Sequence, residues 1–93
     1  MPLDPSLVSA LKALADPGRL KVIRLVGQRP MFGPELVKAL DLTQQTVHHH
    51  LAQLRAAGLV RQERTRGGMR YTIRSETAGT TLEALQRLFT GAT

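Results

Sequence analysis

Cysteine is absent from this 93-residue chain, which excludes disulfides and thiolate metal sites. Long apolar runs are absent too: nothing approaches the roughly eighteen residues a membrane helix needs. Residues 1–4 are followed by no signal-peptide pattern, so neither export nor membrane insertion is expected and the expected location is cytoplasmic. Catalytic motifs are missing. Ser6, Ser9 and Ser75 have no recognisable base beside them, Gly67 and Gly68 lack the phosphate-loop pattern, and no paired carboxylates stand out, so neither an enzymatic activity nor a cofactor is expected. No repeat, low-complexity tract or linker interrupts the chain. Its only irregular joints are 29–33 and the Gly67, Gly68 turn, and 1–93 reads as one domain.

Acid is scarce: seven Asp and Glu stand against thirteen Lys and Arg, a formal charge of +6. The excess is local. Residues 55–74 hold six arginines and a single acid, Glu63, and that concentration favours contact with phosphates over a merely solvated face. At this length only about 60–65 % of the extended-chain surface is buried on folding, so a second copy would help stability.

The most informative stretch is 43–60, TQQTVHHHLAQLRAAGLV. Val47, Leu51 and Leu54 recur at the spacing of one helical face, Thr43 suits an N-cap, and Gly58 suits the left-handed residue that closes a helix. With about 100° per residue, Gln45, His49, Ala52 and Ala56 fall opposite that stripe, and Thr46, His48, Gln53 and Arg55 lie on its shoulders. Polar groups at the start of such a helix can reach base edges, and alanines further along let it settle into a major groove.

Just upstream, Gly33–Leu40 predicts a second short helix, with Pro34 at its first position, Glu35 at its positive end and Leu36, Val37 and Leu40 inward. Asp41 and Leu42 alone separate the two. Two apolar-striped helices this close form a helix-turn-helix, with Asp41 in the left-handed turn position and Leu42 tying the turn to the core. Downstream, 59–65 and 69–74 read as two strands joined by Arg66, Gly67 and Gly68. Met69, Tyr71 and Ile73 lie on one face of the second strand, with Arg70, Thr72 and Arg74 on the other. Both glycines are expected at positive φ, leaving Arg64, Arg66 and Arg70 near a protruding tip. The expected architecture is mainly α with a small β-hairpin, a winged helix-turn-helix whose helix reads the major groove while the wing grips backbone or minor groove.

Three segments, LADPGRLKVIRLV (14–26), PELVKALDLTQQTVHHHLAQLRAAGLV (34–60) and RGGMRYTI (66–73), resemble the ArsR/SmtB family of winged-helix repressors in order and spacing. The resemblance rests on Leu14, Ala15, Asp16, Pro17, Arg19 and Leu20, on His50 and Leu51, and on the exit at residues 57–60. His48 stands where the family usually has serine and Asp41 where it usually has glycine, which puts base preference and turn chemistry, respectively, in question. The resemblance implies a repressor that binds double-stranded DNA at an inverted-repeat operator as a homodimer paired through its first and last helices. Base-reading or groove-facing candidates are Gln44, Gln45, Thr46, His48 and His49, with Arg64, Arg66 and Arg70 on the wing.

The chain ends fit that implication. Leu7, Leu11 and Leu14 form a stripe that stops at Asp16 and Pro17, which cap and begin a core helix over 20–26. A last helix is expected from residue 80 or 81 to 89. Leu7, Leu11, Leu82, Leu85 and Phe89 are the expected dimer interface. No metal site is expected. His48, His49 and His50 point about 100° apart and cannot share one ion, and His50, beside Val47 and Leu54, reads as a satisfied, semi-buried histidine. The family's cysteine motif would fall around 36–40, where there is no cysteine, and its site on the last helix finds only Glu83. The competing reading is a winged-helix protein-interaction module in a larger assembly, which the fold alone leaves open. The polar start of the recognition helix and the arginines of the wing favour DNA.

Overall fold

The computed structural model describes residues 3–91; residues 1, 2, 92 and 93 of the expected 1–93 domain lie outside the described residues. Helix α1 (Pro5–Leu14) begins where the Asp4 carboxylate accepts the Ser6 N–H at 2.9 Å, and α2 (Pro17–Gln28) where Asp16 accepts the Arg19 N–H at 3.0 Å. Each has proline in its first turn, where no intrahelical N–H is needed. Next come strand β1 (Met31–Phe32), helices α3 (Gly33–Leu40) and α4 (Gln44–Ala56), strands β2 (Val60–Thr65) and β3 (Gly68–Ile73), and helix α5 (Ser75–Thr90).

The sheet has three strands, not the two of the expected hairpin. Met31 and Phe32 pair antiparallel with Tyr71 and Arg70, giving the order β1-β3-β2, so the joint expected to be irregular supplies a strand. The core sits between this sheet and the helices. Val22, Leu36, Val47, Leu51 and Leu54 are fully buried at its centre, and Ala10, Ala13, Val26, Met31 and Tyr71 close around them.

Four further expectations are corrected. The inward face of α1 is Leu7, Ala10 and Ala13, with Leu11 turned out, because alanines let α1 approach its neighbours closely. Leu20, expected in the core, is exposed, and Val22 and Val26 carry the inward face of α2. Pro34 is the second residue of α3, Gly33 the first. Helix α5 starts at Ser75, directly after the wing, instead of residue 80 or 81, with Thr77 beside Gly58 and Ala78 among apolar residues of α1, α2 and β3.

Candidate nucleic-acid interface

The turn between α3 and α4 is built as its residues require. Asp41 adopts φ 52°, ψ 45°, the left-handed conformation Asp tolerates better than most residues, and its N–H returns to the Val37 carbonyl. Leu42 packs half-buried against the core. The Thr43 hydroxyl oxygen accepts the Thr46 N–H at 3.1 Å, satisfying one of the free donors at the start of α4, and donates to the Thr46 hydroxyl at 2.8 Å. Gly58, at φ 73°, follows the end of the helix.

These caps hold α4 with Val47, His50, Leu51 and Leu54 inward. Gln44, Gln45, His48, His49, Ala52, Gln53, Arg55 and Ala56 are exposed on the other side. Thr46 is half-buried and engaged with Thr43, so of the five reading candidates it is the one already spoken for by the helix cap.

His50 is seated differently from expectation. It is buried, yet its Nδ1 has no hydrogen-bond partner and lies 3.9 Å from the Asp16 carboxylate. A methyl group on Gly18 would come within 2.6 Å of His50 Nε2, so glycine is needed there for the ring to fit between α2 and α4. The Asp16 carboxyl is held below its ordinary pKa chiefly by the Arg19 backbone N–H it accepts, which outweighs the opposing cost of burial, and further by the nearby Arg19 and His50.

The wing runs from Val60 to Ile73 with a two-residue turn at Arg66 and Gly67, since Thr65 pairs with Gly68. The Thr65 hydroxyl braces it, donating to the Gly68 carbonyl at 2.8 Å and accepting the Gly67 N–H at 3.2 Å. Of the two glycines expected at positive φ, only Gly68 has it, at 115°. Gly67 is small for another reason: the Phe32 ring lies 3.3 Å from where its Cβ would stand.

The three wing arginines are not equivalent. Arg64 and Arg66 are exposed and, among the described residues, have no acidic partner. Arg70 faces Glu63 across the ladder and pairs with it at 2.7 Å, so its charge is largely answered within the wing. Sequence reasoning also missed what fastens the wing. Arg55 on α4 donates to the Gln62 side chain on β2, and Gln62 reaches Met69 Sδ at 3.4 Å, tying the recognition helix to both wing strands. No periodicity marks such a link, since it joins residues brought together only by the turn at Gly58.

The expected interface residues divide. Leu82, Leu88 and Phe89 of α5 are 67 %, 52 % and 87 % exposed, Leu11 is 38 % exposed, and Leu85 is half-buried. Leu7 is 4 % exposed, buried among Ala57, Thr81 and Ala84, and offers little to a partner. Among the described residues no group of three or more His, Cys, Asp or Glu could hold a metal ion, and no helix is long and apolar enough to cross a membrane.

A capped helix-turn-helix carrying a basic hairpin defines a winged-helix DNA-binding domain. The comparisons give the family. The model described as bacterial regulatory protein, arsR family, matches residues 16–62. The chain is 33 % identical over 82 residues to the transcriptional activator HlyU of Vibrio cholerae, covering 88 % of this chain and 76 % of that one. It is 34 % identical over 79 residues to a biofilm growth-associated repressor of Agrobacterium fabrum, covering 85 % and 68 %. An ArsR-like transcriptional regulator from a Rhodococcus species superposes with a TM-score of 0.85 at 26 % identity, over 92 % of this chain and 81 % of that one. The chain belongs to the ArsR family of bacterial regulatory proteins and is a DNA-binding transcriptional regulator, not an enzyme.

Proposed function

We propose that the protein is a cytoplasmic homodimeric repressor, its 1–93 chain acting as a single DNA-binding domain without a family-type metal site. The observation that carries the dimer is the exposed apolar face of Leu82, Leu88 and Phe89 on α5, continued by Leu11 on α1. A face of that kind is costly in water and is covered well by a second copy related by a two-fold axis. Two α4 helices then enter successive major grooves of an inverted-repeat operator. Gln44, Gln45, His48 and His49 read base edges, Thr46 fixes the start of the helix at the groove, and Arg64 and Arg66 hold phosphates or the minor groove, with Arg70 contributing less because Glu63 answers it. Repression follows the family resemblance and is supported by the Agrobacterium relative, named a repressor.

The test pairs light scattering with selection of bound sites from a random duplex pool. The expected result is a dimer at micromolar concentration that selects an inverted repeat with half-sites about one helical turn apart. A monomer, or an asymmetric selected site, would overturn the reading.

A further inference from the structure

Between α3, α4 and β3 the surface opens into a cleft of about 240 Å³ whose floor is the core itself: Val47, Leu51 and Tyr71, each 3 % exposed or less. Val37 forms a half-buried wall, and Gln44 and His48 stand exposed at the mouth. The cleft is therefore apolar at depth and hydrogen-bonding at its rim. That is the ordinary build of a small-ligand site, with walls that supply desolvation and a few polar groups that orient the guest. The size is also right for a single ring, since an apolar cavity of about 150 Å³ accommodates benzene.

The polar rim does not spend its groups on the protein. Among the described residues neither the Gln44 amide nor the His48 imidazole makes a side-chain hydrogen bond, although the neighbouring Thr43 and Thr46 are bonded to each other. The floor also joins three elements that must keep their relative positions for the protein to read DNA. Val37 belongs to the first helix of the helix-turn-helix, Val47 and Leu51 to the second, and Tyr71 to the central strand of the sheet, paired with Met31 on one side and Gln62 on the other.

We propose that this cleft binds a monocyclic aromatic ligand carrying one hydrogen-bonding group, such as a phenol, with the ring on Val47, Leu51 and Tyr71 and the polar group between Gln44 and His48. Because Gln44 and His48 are also assigned to the DNA groove, an occupied cleft withdraws them from bases and releases the operator. This second half rests on the function proposed above. Ligand and DNA then compete for the same two side chains, and each weakens the other by an equal factor, as linkage requires.

The probe is 4-methylphenol, added to the methyl-labelled free protein and followed by NMR. Saturable shifts confined to the methyls of Val37, Val47 and Leu51 are expected, with a Kd on the order of 1 mM for a ligand of this size. Val37→Phe should fill the cleft and abolish them, while leaving the methyls of Leu7, buried on α1 and not part of the cleft lining, in place as a check on folding. His48→Ala, at an exposed position, should weaken the probe about three- to tenfold and keeps the test decisive if Val37→Phe does not fold. Absence of saturation, or equal shifts at the other apolar cleft beside Leu14, Ile23 and Leu85, would overturn the site. At ten times its Kd the probe should weaken operator binding about tenfold. Saturation with unchanged operator affinity would overturn the competition, whereas failure of the unliganded protein to bind any duplex would overturn the proposed function instead.

Discussion

Helices α4 and α5 differ in what they do with their apolar residues. In α4, which runs 13 residues, every leucine and valine is buried and the outward face is polar or small. In α5, which runs 16, the one buried residue is Thr81, while Leu82, Leu88 and Phe89 face water. The first helix completes its packing within one protomer and is left with a surface free to read a partner of another kind. The second leaves three large apolar side chains in water, the surface on which the proposed dimer rests.

The largest test of this contrast is a pair of truncations. Leu54→Ala on α4 should cost about 2–5 kcal/mol in urea unfolding, because Leu54 is fully buried and a cavity would remain. Phe89→Ala on α5 removes a larger side chain and should leave protomer stability within about 0.5 kcal/mol. Its effect should appear instead in sedimentation, as at least a tenfold weaker dimer, equivalent to about 1.4 kcal/mol. Comparable losses of protomer stability in both would break the comparison.

A second pair sharpens what the outward face of α4 does. Gln45→Ala should lower operator affinity by about 1–3 kcal/mol and spare random duplex, while Arg66→Ala should weaken both and reduce the salt dependence by about one unit of slope. Titrations on specific and random DNA at several salt concentrations separate the two. Equal losses on both duplexes for both variants would contradict the division between reading and gripping.

The helix starts give a smaller contrast. Thr43 caps α4 with its hydroxyl, whereas Arg74 at the start of α5 makes no side-chain cap bond. Thr43→Ala should therefore cost about 1 kcal/mol, and Arg74→Ser should gain a few tenths up to about 1 kcal/mol. Thermal melts of the two variants should shift in opposite directions.

The smallest expected effect is one of pH. Asp16 has its folded pKa below the ordinary 3.8, so its contribution is fully present above that value and is lost as pH falls through the lower folded value. Asp16→Asn should flatten the acid limb of the stability curve in that window. An unchanged slope below about pH 4 would remove Asp16 from the account.

The helix-turn-helix was legible because its punctuation is local. Asp16, Thr43, Asp41 and Gly58 each act on their own backbone neighbours, and each does in the structure what its side chain or its lack of one predicts. What was not legible depends on distant chain. Met31 and Phe32 are too few to show alternation, and they become a strand only because β3 offers a free edge. Residues 75–79 carry no large apolar side chain, so nothing periodic announces the first turns of α5. The leucines of α1 predicted a stripe but not which side of it would face inward, and the close approach of neighbouring helices turned that face toward Ala10 and Ala13. Of the proposed interface, the exposed side chains of α4 could be placed from a helical wheel. The loss of Arg70 to Glu63 could not, since it follows from strand register.

The wing is pinned on both flanks, by β1 along one edge of β3 and by the Arg55 link to Gln62 in β2. Its reach is consequently a fixed length set by six-residue strands, and the span from Gln45 to Arg66 behaves as a gauge carried by the protein. In the proposed complex, a duplex whose groove width does not match that gauge is the member expected to bend. Under that proposal, positions beneath the wing are expected to discriminate between sequences by their stiffness, even where no side chain meets a base.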